Sequence, residues 1–301
     1  LPTVAMDTEA GTQYNVLHGY TMELDSTLFY GNITPVNKDR KLAITINTYG
    51  EDVESVGYKI RSLEDKSLIE NTEVSGYQVT DNKINVTLNI KNLLDTGKEY
   101  ALEVVLKTKK HDEVYYYTRI MYGTDYDLQK KLDFVKDFNA CTFDNARLKD
   151  IGGYLETSSV GDNTNYGKVN INCSLSQVGW GDLEPYIESE ITPEIISIND
   201  DVAIIRLDYR VGAANDYSSS DTYNVNEYYR IRQANSGFYL LNFEREMNQV
   251  FDAKNDLTSS AKINLGINPS TDVNCTSDEK GIYTYFVNQG SLWCFNSSSQ
   301  T

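Results

Sequence analysis

The stretch Leu94-Asp95-Thr96-Gly97-Lys98-Glu99-Tyr100, followed by alternating Leu102, Val104 and Leu106, decides the fold of the first part of the chain. Its aspartate and glycine are turn residues, because they tolerate the backbone angles that tight turns need. The alternation after the turn has the period of two that places side chains on opposite faces of a strand. The stretch therefore predicts a turn that leads into a strand with one buried face.

Similar strands occupy the whole of residues 41–123. The apolar runs predict strands at residues 41–49, 55–63, 67–75, 83–90, 99–110 and 114–122, and residues 21–28 are a further candidate. Turn residues such as Gly50-Glu51-Asp52 and Lys110-His111-Asp112 stand between these runs. About seven short strands in roughly 110 residues are typical of an antiparallel sandwich.

The motif at residues 94–100 resembles the corner before the sixth strand of fibronectin type III domains. In the related tyrosine corner, the tyrosine hydroxyl bonds back to the backbone a few residues upstream. The resemblance covers roughly residues 20–123 and implies a fibronectin- or immunoglobulin-like β-sandwich. The sequence departs from these families because both tryptophans, Trp180 and Trp293, lie outside this region.

The chain changes character after residue 123. Thr124 or Asp125 can cap a helix, and four apolar residues then recur on one face of it: Leu128, Leu132, Val135 and Phe138. We expect this amphipathic helix to pack on a neighbouring sheet. The sequence thus predicts two domains, a sandwich with an N-terminal extension at residues 1–123 and a helix with an antiparallel sheet at residues 124–301, whose completeness at the C-terminus is left open.

Strands return in the second domain. The candidates are residues 168–176, 195–198, 201–211, 223–233, 237–245 and 281–295. Two architectures fit them: an α+β domain with the helix on a curved antiparallel sheet, or the start of a truncated β-propeller. An echo between residues 228–242 and 283–296, about 54 residues apart, suits one propeller blade. We favour the α+β domain in a mainly β, multidomain protein.

Composition excludes several partners and points outside the cytoplasm. The formal net charge of −17 repels phosphate backbones, so nucleic acid is not expected as a partner. No apolar run is long enough to span a bilayer, although the missing initiator methionine makes an upstream signal peptide or anchor a hypothesis. The 23 tyrosines suit half-buried strand faces. We expect an extracellular or cell-surface protein of bacterial type.

The sequence contains no recognised catalytic, metal or cofactor motif. Its four cysteines, at positions 141, 173, 275 and 294, are too irregularly spaced for a zinc knuckle. Disulfides and free thiols both remain open for them, and we favour free thiols. Only His18 and His111 are available for histidine chemistry, and neither follows a nucleophile motif. We therefore predict no cofactor and no enzyme activity.

The segment Val178-Gly179-Trp180-Gly181-Asp182 supplies the candidate binding site. A tryptophan between glycines can form an exposed stacking platform for a sugar, with Asp182 and Tyr186 beside it. The alternative is a tryptophan that fills the core of a tight loop. Acidic residues also gather near this segment and farther on: Glu184, Glu188, Glu190 and Glu194, then Glu244 and Glu246.

These observations favour a non-catalytic ectodomain of a surface protein, with an extracellular glycan or protein as its ligand. One alternative is an enzyme that acts on extracellular polysaccharide, because glycoside hydrolysis needs only two suitably placed carboxylates. Another is a regulatory ectodomain of a signalling membrane protein.

Overall fold

The computed structural model describes all residues except 125, 215–219, 252–257, 260–261, 264–273, 289–290 and 300–301. It is mainly β, as predicted, with one sizeable helix. The chain forms two compact units. Unit 1 contains Leu1–Ala140, Ile191–Leu207 and Tyr228–Phe243, and unit 2 contains Cys141–Glu190, Asp208–Glu227 and Glu244–Thr301. The predicted domain boundary after residue 123 stays a prediction.

The first part of unit 1 contains ten strands. They are β1 Thr3–Asp7, β2 Gln13–His18, β3 Ile33–Val36, β4 Lys41–Asn47, β5 Val53–Ser62, β6 Leu68–Val74, β7 Gln78–Thr80, β8 Lys83–Asn89, β9 Glu99–Thr108 and β10 Val114–Tyr122. They form two five-stranded sheets with the orders β2-β1-β4-β8-β7 and β3-β10-β9-β5-β6. The pairing is antiparallel except where β3 lies parallel to β10. This arrangement is compatible with a β-sandwich.

Alternation along the strands explains which faces are buried. On β8, Ile84, Val86 and Leu88 are buried while the residues between them are exposed. On β9, Leu102, Val104 and Leu106 are likewise fully buried. Transfer of such side chains out of water is the main stabilising contribution to a sheet with one buried face. The predicted strands at residues 41–122 are therefore confirmed, with bounds that differ by a few residues.

The turn at residues 94–100 has the hydrogen bond that its sequence implies. The Asp95 N–H donates to the Tyr100 hydroxyl oxygen at 2.8 Å. Leu94 and Tyr100 are both buried, and Tyr100 pairs with Ile120 on the neighbouring strand β10. The tyrosine therefore ties the turn to the start of β9 from five residues away.

The first thirty residues contain two strands that the sequence does not predict and lack one that it does. The opening of the chain forms β1 and β2, although it shows little periodicity, because Val4, Ala5 and Met6 are all buried and no alternation results. The candidate strand at residues 21–28 is instead irregular and ends in a 3-10 turn at Ser26–Leu28. Asp25 causes this turn, because its carboxylate accepts hydrogen bonds from the Thr27 N–H and hydroxyl.

The predicted helix is α1, Leu128–Thr142. It packs within unit 1 on the long strands β15, Ser220–Ala234, and β16, Gly237–Gln249. Phe134 stacks on Phe238 with ring centroids 4.9 Å apart, and Phe138 contacts Phe243 at 5.4 Å. The helix on an antiparallel sheet is thus confirmed, while the proposed cap Asp125 lies outside the described residues.

The remaining elements belong to three further sheets and one short helix. They are β11 Lys168–Asn170, α2 Leu175–Val178, β12 Tyr186–Ile187, β13 Thr192–Ile198, β14 Val202–Ala214, β17 Thr258–Ser259, β18 Lys262–Ile263, β19 Cys275–Ser277, β20 Tyr283–Asn288 and β21 Ser291–Asn296. One sheet has the order β11-β16-β15-β14-β12, with β13 also paired to β14; β17-β18 and β19-β20-β21 are separate. Within the described residues there is no propeller or closed barrel.

Two predicted strands of the second half need correction. The strand at residues 168–176 stops at Asn170, because Ser174 caps the short helix α2 by accepting from the Gln177 N–H at 3.2 Å. The run at residues 281–295 is not one strand: β20 and β21 are paired antiparallel. Cys173, Cys275 and Cys294 carry free thiols. Among the described residues, no helix is long and apolar enough to cross a membrane.

Candidate functional site

Trp180, the aromatic residue that the sequence singles out, lies in the interior of unit 2. Its side chain is 1% exposed, and its indole N–H donates to Thr142 Oγ1 at 3.3 Å. Arg245 Cζ lies 3.4 Å from the ring centroid, so the guanidinium covers one face of the indole. A stacking platform needs an exposed ring face. Trp180 instead fills the core of a tight loop, which is the alternative stated above.

The backbone at Trp180 shows how firmly this loop is held. Trp180 has a φ of 69°, a conformation that costs a residue with a β-carbon about 1–2 kcal/mol. The fully buried Arg245 donates to the Val178 carbonyl at 2.8 Å and to the Gln177 carbonyl at 3.0 Å. These charge-assisted bonds offset the strain and fix the ring under the guanidinium.

The other two predicted contacts lie on the surface of unit 2. Asp182 is exposed, and Tyr186 is 50% exposed. A β-carbon at Gly212 would lie 2.3 Å from Tyr186 Cζ, so the tyrosine ring lies against the backbone of β14. The buried Trp180 cannot share an exposed surface with these two residues. The role of Asp182 and Tyr186 in glycan binding stays a prediction. Of the two predicted aromatic residues, Tyr186 is exposed and Trp180 is not.

The predicted group of glutamates does not form one site. Glu184, Glu188 and Glu190 are exposed members of unit 2, and Glu188 accepts a hydrogen bond from the Thr222 hydroxyl at 2.9 Å. Glu194 belongs to β13 in unit 1. On β16, Glu244 and Glu246 stand two residues apart as predicted, and Glu246 lies 3.6 Å from Lys168. An acid–base pair among these residues stays a prediction.

A second set of aromatic residues, in unit 1, surrounds an open cavity of about 190 Å³. Tyr20, Phe29 and Tyr117 form its aromatic wall: Phe29 stacks on Tyr117 with centroids 4.4 Å apart, and Tyr20 lies 5.7 Å from both. Tyr117 is buried, whereas Tyr20 is 43% exposed. We call this cavity, with its rim residues His18, Asn32 and Glu194, the aromatic pocket.

The exposed ring of the aromatic pocket is carried by residues 19–32, which we call the strap. Tyr20 pairs with Tyr115 of β10 through two backbone hydrogen bonds of 2.9 Å. The Leu24 N–H donates to the Tyr117 hydroxyl at 2.7 Å. Asp25 then pairs with Lys66 at 2.7 Å, and the hydrogen bond from this lysine lowers the pKa of Asp25 to about 2. These contacts fix the strap against the sheet that contains β10.

The polar rim is pre-arranged by hydrogen bonds. Asn32 is buried, and its amide donates to Glu194 Oε1 at 3.0 Å while its oxygen accepts from the Thr118 hydroxyl at 2.6 Å. Arg206 pairs with the other oxygen of Glu194. A fixed carboxylate beside exposed rings can accept hydrogen bonds from ligand hydroxyls without first losing rotamer freedom.

A polar groove crosses the outer face of the sheet β2-β1-β4-β8-β7. It consists of two adjoining cavities of about 500 Å³ and 380 Å³, which share Asp7, Ala43 and Thr87 as their floor. These three residues are register partners on β1, β4 and β8. The Thr45 hydroxyl donates to Asp7 Oδ2 at 2.7 Å and also contacts Asn85 Oδ1 at 3.0 Å. We call this surface the polar groove.

Asp7 stands out among the carboxylates of the polar groove. Burial raises its pKa, and the hydrogen bond from Thr45 only partly opposes that effect. Tyr14 also lines the first cavity; it is 1% exposed, and burial raises its pKa. Within the described part of the chain, no group of three or more His, Cys, Asp or Glu side chains is placed to hold a metal ion.

Neither surface is predicted by the sequence. The aromatic pocket joins residues from distant parts of the chain. The strap pairs with β10 through Tyr20 and Tyr115, and its Asn32 donates a hydrogen bond to Glu194 of β13. The sequence feature that points to the aromatic pocket is the run Phe29-Tyr30-Gly31-Asn32, where two aromatic residues stand in a region without strand alternation. No protein-family model and no curated protein sequence matches the chain.

Proposed function

We propose that this protein is a non-catalytic, glycan-binding ectodomain of an extracytoplasmic surface protein, and that the aromatic pocket is its binding site. The observation that carries the proposal is a half-exposed ring, Tyr20, which packs against Phe29 and Tyr117 and lines one cavity together with Glu194. The proposed platform thus moves from Trp180 to Tyr20.

The chemistry of a sugar ring fits this pocket. Aromatic faces carry partial negative charge, and the C–H groups on the flat face of a pyranose carry partial positive charge. Hydroxyl groups at the edge of the sugar donate hydrogen bonds, which the Glu194 carboxylate accepts. The cavity of about 190 Å³ suits one ring rather than a branched oligosaccharide. The net charge of −17 disfavours polyanionic glycans.

We further propose that the ten strands of unit 1 form a fibronectin- or immunoglobulin-like sandwich. Immunoglobulin constant domains have one sheet of strands A, B, E and D and another of C, F and G. If β1, β4, β8 and β7 are A, B, E and D, the first sheet has that order; β5, β9 and β10 then are C, F and G. The Tyr100 hydrogen bond at the start of F supports this assignment.

In this scheme, the aromatic pocket is an elaboration of the connection between strands A and B. That connection contains β2, the strap and β3, which are extra to the seven-strand plan. Ligand sites on sandwiches commonly lie on such connections, because loops vary while the sheets hold them in place. The proposed site therefore lies where this fold tolerates insertion.

A protein ligand is the second candidate. The strap exposes three further large side chains, Met22 at 68%, Leu28 at 65% and Tyr30 at 61%. Arg119 also lies over the Tyr30 ring at 5.5 Å. Exposed Met, Tyr and Arg side chains around a pocket are typical of protein interfaces. This candidate gains if no glycan binds.

A glycan-array screen of the purified chain beside a Tyr20→Ala variant tests the proposal. We expect the variant to lose at least about tenfold in affinity for any glycan that the wild type binds, which corresponds to about 1.4 kcal/mol. The matched control is Tyr239→Ala, because Tyr239 is 46% exposed, also belongs to unit 1 and does not line the pocket.

Two outcomes contradict the proposal. One is a silent array, which would favour protein docking through the strap. The other is a glycan whose binding Tyr20→Ala leaves intact, which would move the site elsewhere. Equal thermal melting of the two variants is the control that separates lost contact from lost fold.

A further inference from the structure

The polar groove is a concave surface of unit 1 that the proposed function does not use. Its floor combines a carboxylate, a small side chain and a hydroxyl from three adjacent strands: Asp7, Ala43 and Thr87. Ala43 leaves a gap between its two polar neighbours, so a ligand can approach the sheet closely. The walls add amides and an aromatic ring, from Asn37, Asn89 and Tyr77.

The groove is elongated rather than round. Neighbouring strands lie about 4.8 Å apart, so the floor from β1 to β8 alone spans about 10 Å. The first cavity also reaches Asn37, between β3 and β4, and the second also reaches Tyr77, just before β7. This length exceeds a single sugar ring and suits several consecutive units of a chain.

Asp7 lies at the junction of the two cavities, where burial raises its pKa although Thr45, Gln13 and Lys83 each act to lower it. It is partly buried, and its Oδ2 accepts from the Thr45 hydroxyl. No cationic side chain among the described residues forms an ion pair with it. A ligand that supplies hydroxyl donors would satisfy its remaining lone pairs, whereas an anionic ligand would add repulsion.

The charged residues around the groove also favour an uncharged ligand over an anionic one. Glu9 and Asp39 line the first cavity together with Asp7, against the single cation Lys41. A chain of uronic acids would bring one negative charge per unit into this field. Hydroxyl and amide groups on the floor and walls match an uncharged polyol instead.

We propose that the polar groove is a second carbohydrate site, which holds an internal run of a linear, uncharged polysaccharide with Asp7 as its central hydrogen-bond acceptor. The proposal rests on the proposed function for the class of ligand, but it uses none of the residues of the aromatic pocket. Two such sites on one domain would let the protein hold a polymer at two places and gain avidity.

Calorimetric titration with linear hexamers and dimers of glucose, mannose, xylose and N-acetylglucosamine tests the proposal, beside hexamers of mannuronate and galacturonate. We expect at least one neutral hexamer to bind tenfold or more tightly than its dimer, and neither uronate hexamer to bind measurably. Thr87→Tyr fills the floor without a change of charge and should lower the hexamer affinity tenfold or more. Thr80→Tyr, an exposed position on β7 outside the groove, is the matched control.

Asp7→Asn provides a second variant that preserves the shape of the groove. We expect it to weaken the neutral hexamer and to reduce the discrimination against uronate hexamers. Tyr20→Ala should leave the ratio of hexamer to dimer affinity unchanged, so a failure of the aromatic pocket is distinguishable from a failure of the groove. Equal affinity for hexamers and dimers, equal binding of uronate hexamers, or unchanged binding by Thr87→Tyr would overturn the proposal.

Discussion

Trp180 and Tyr20 each follow a glycine in an irregular segment, yet they have opposite surroundings. The indole of Trp180 is 1% exposed, with its N–H bonded and one face under Arg245. Tyr20 is 43% exposed, and its neighbours Phe29 and Tyr117 support it from the side of the sheet. An aromatic residue in a glycine-containing loop is therefore available to a ligand only where no other group of the protein covers the face of its ring.

The surroundings of Trp180 serve the stability of the fold, whereas those of Tyr20 serve the proposed binding. Groups around Trp180 satisfy one another, so removal of any one leaves a cavity or a buried charge. Tyr20 is 43% exposed and Asp7 is only partly buried, so both side chains are open to the proposed ligands.

Trp180→Ala should destabilise the protein strongly. The loss of a fully buried indole leaves a cavity and uncovers the Arg245 guanidinium, which corresponds to about 3–5 kcal/mol. Chemical denaturation that monitors unit 2 measures this effect, with Trp180→Phe as the milder companion. A loss below about 1 kcal/mol would contradict the core role of Trp180.

Asp7→Asn should stabilise the protein at neutral pH. Burial raises the folded-state pKa of Asp7, so the ionised carboxylate is disfavoured in the folded state above that pKa. The penalty disappears as the pH falls below the ordinary value of 3.8, where Asp7 is protonated both folded and unfolded. Thermal melting of wild type and variant from pH 3 to 7 should show a gap that opens with pH. A gap that instead closes with rising pH would contradict this sign.

Asp25→Asn should have the smallest effect. Its ion pair with Lys66 fixes the strap from the surface, where such pairs contribute little and are screened by salt. The pKa of about 2 keeps Asp25 ionised at ordinary pH; its contribution is present above 3.8 and is lost as pH falls through about 2. We expect glycan affinity at neutral pH to fall by about twofold at low salt and to be unchanged at high salt. A large loss that persists in high salt would show that the strap depends on Asp25 in another way.

The sequence predicts the regular parts of the fold well, for physical reasons visible in particular residues. Strand β8 has one buried face, so Ile84, Val86 and Leu88 alternate with polar residues. Helix α1 has an apolar stripe for the same reason. Strand β1 has no such pattern, because Ala5 is buried as fully as Val4 and Met6.

The candidate site depends on contacts that no local pattern contains. The fate of Trp180 is decided by Arg245, 65 positions later, which covers its ring. Glu194 is close in the chain to the glutamates near Trp180, but in the structure it lies on β13 and accepts a hydrogen bond from Asn32. Exposure of a side chain is a tertiary property, so both readings of the Gly-Trp-Gly segment were consistent with the sequence.

An NMR titration of the labelled protein with a glycan that it binds distinguishes the two aromatic residues. We expect shifts at the backbone amides of Tyr20, Gly31 and Asn32, and an unchanged signal from the Trp180 indole N–H, which stays bonded to Thr142. A shift of the indole signal without shifts in the strap would instead place the binding platform at Trp180.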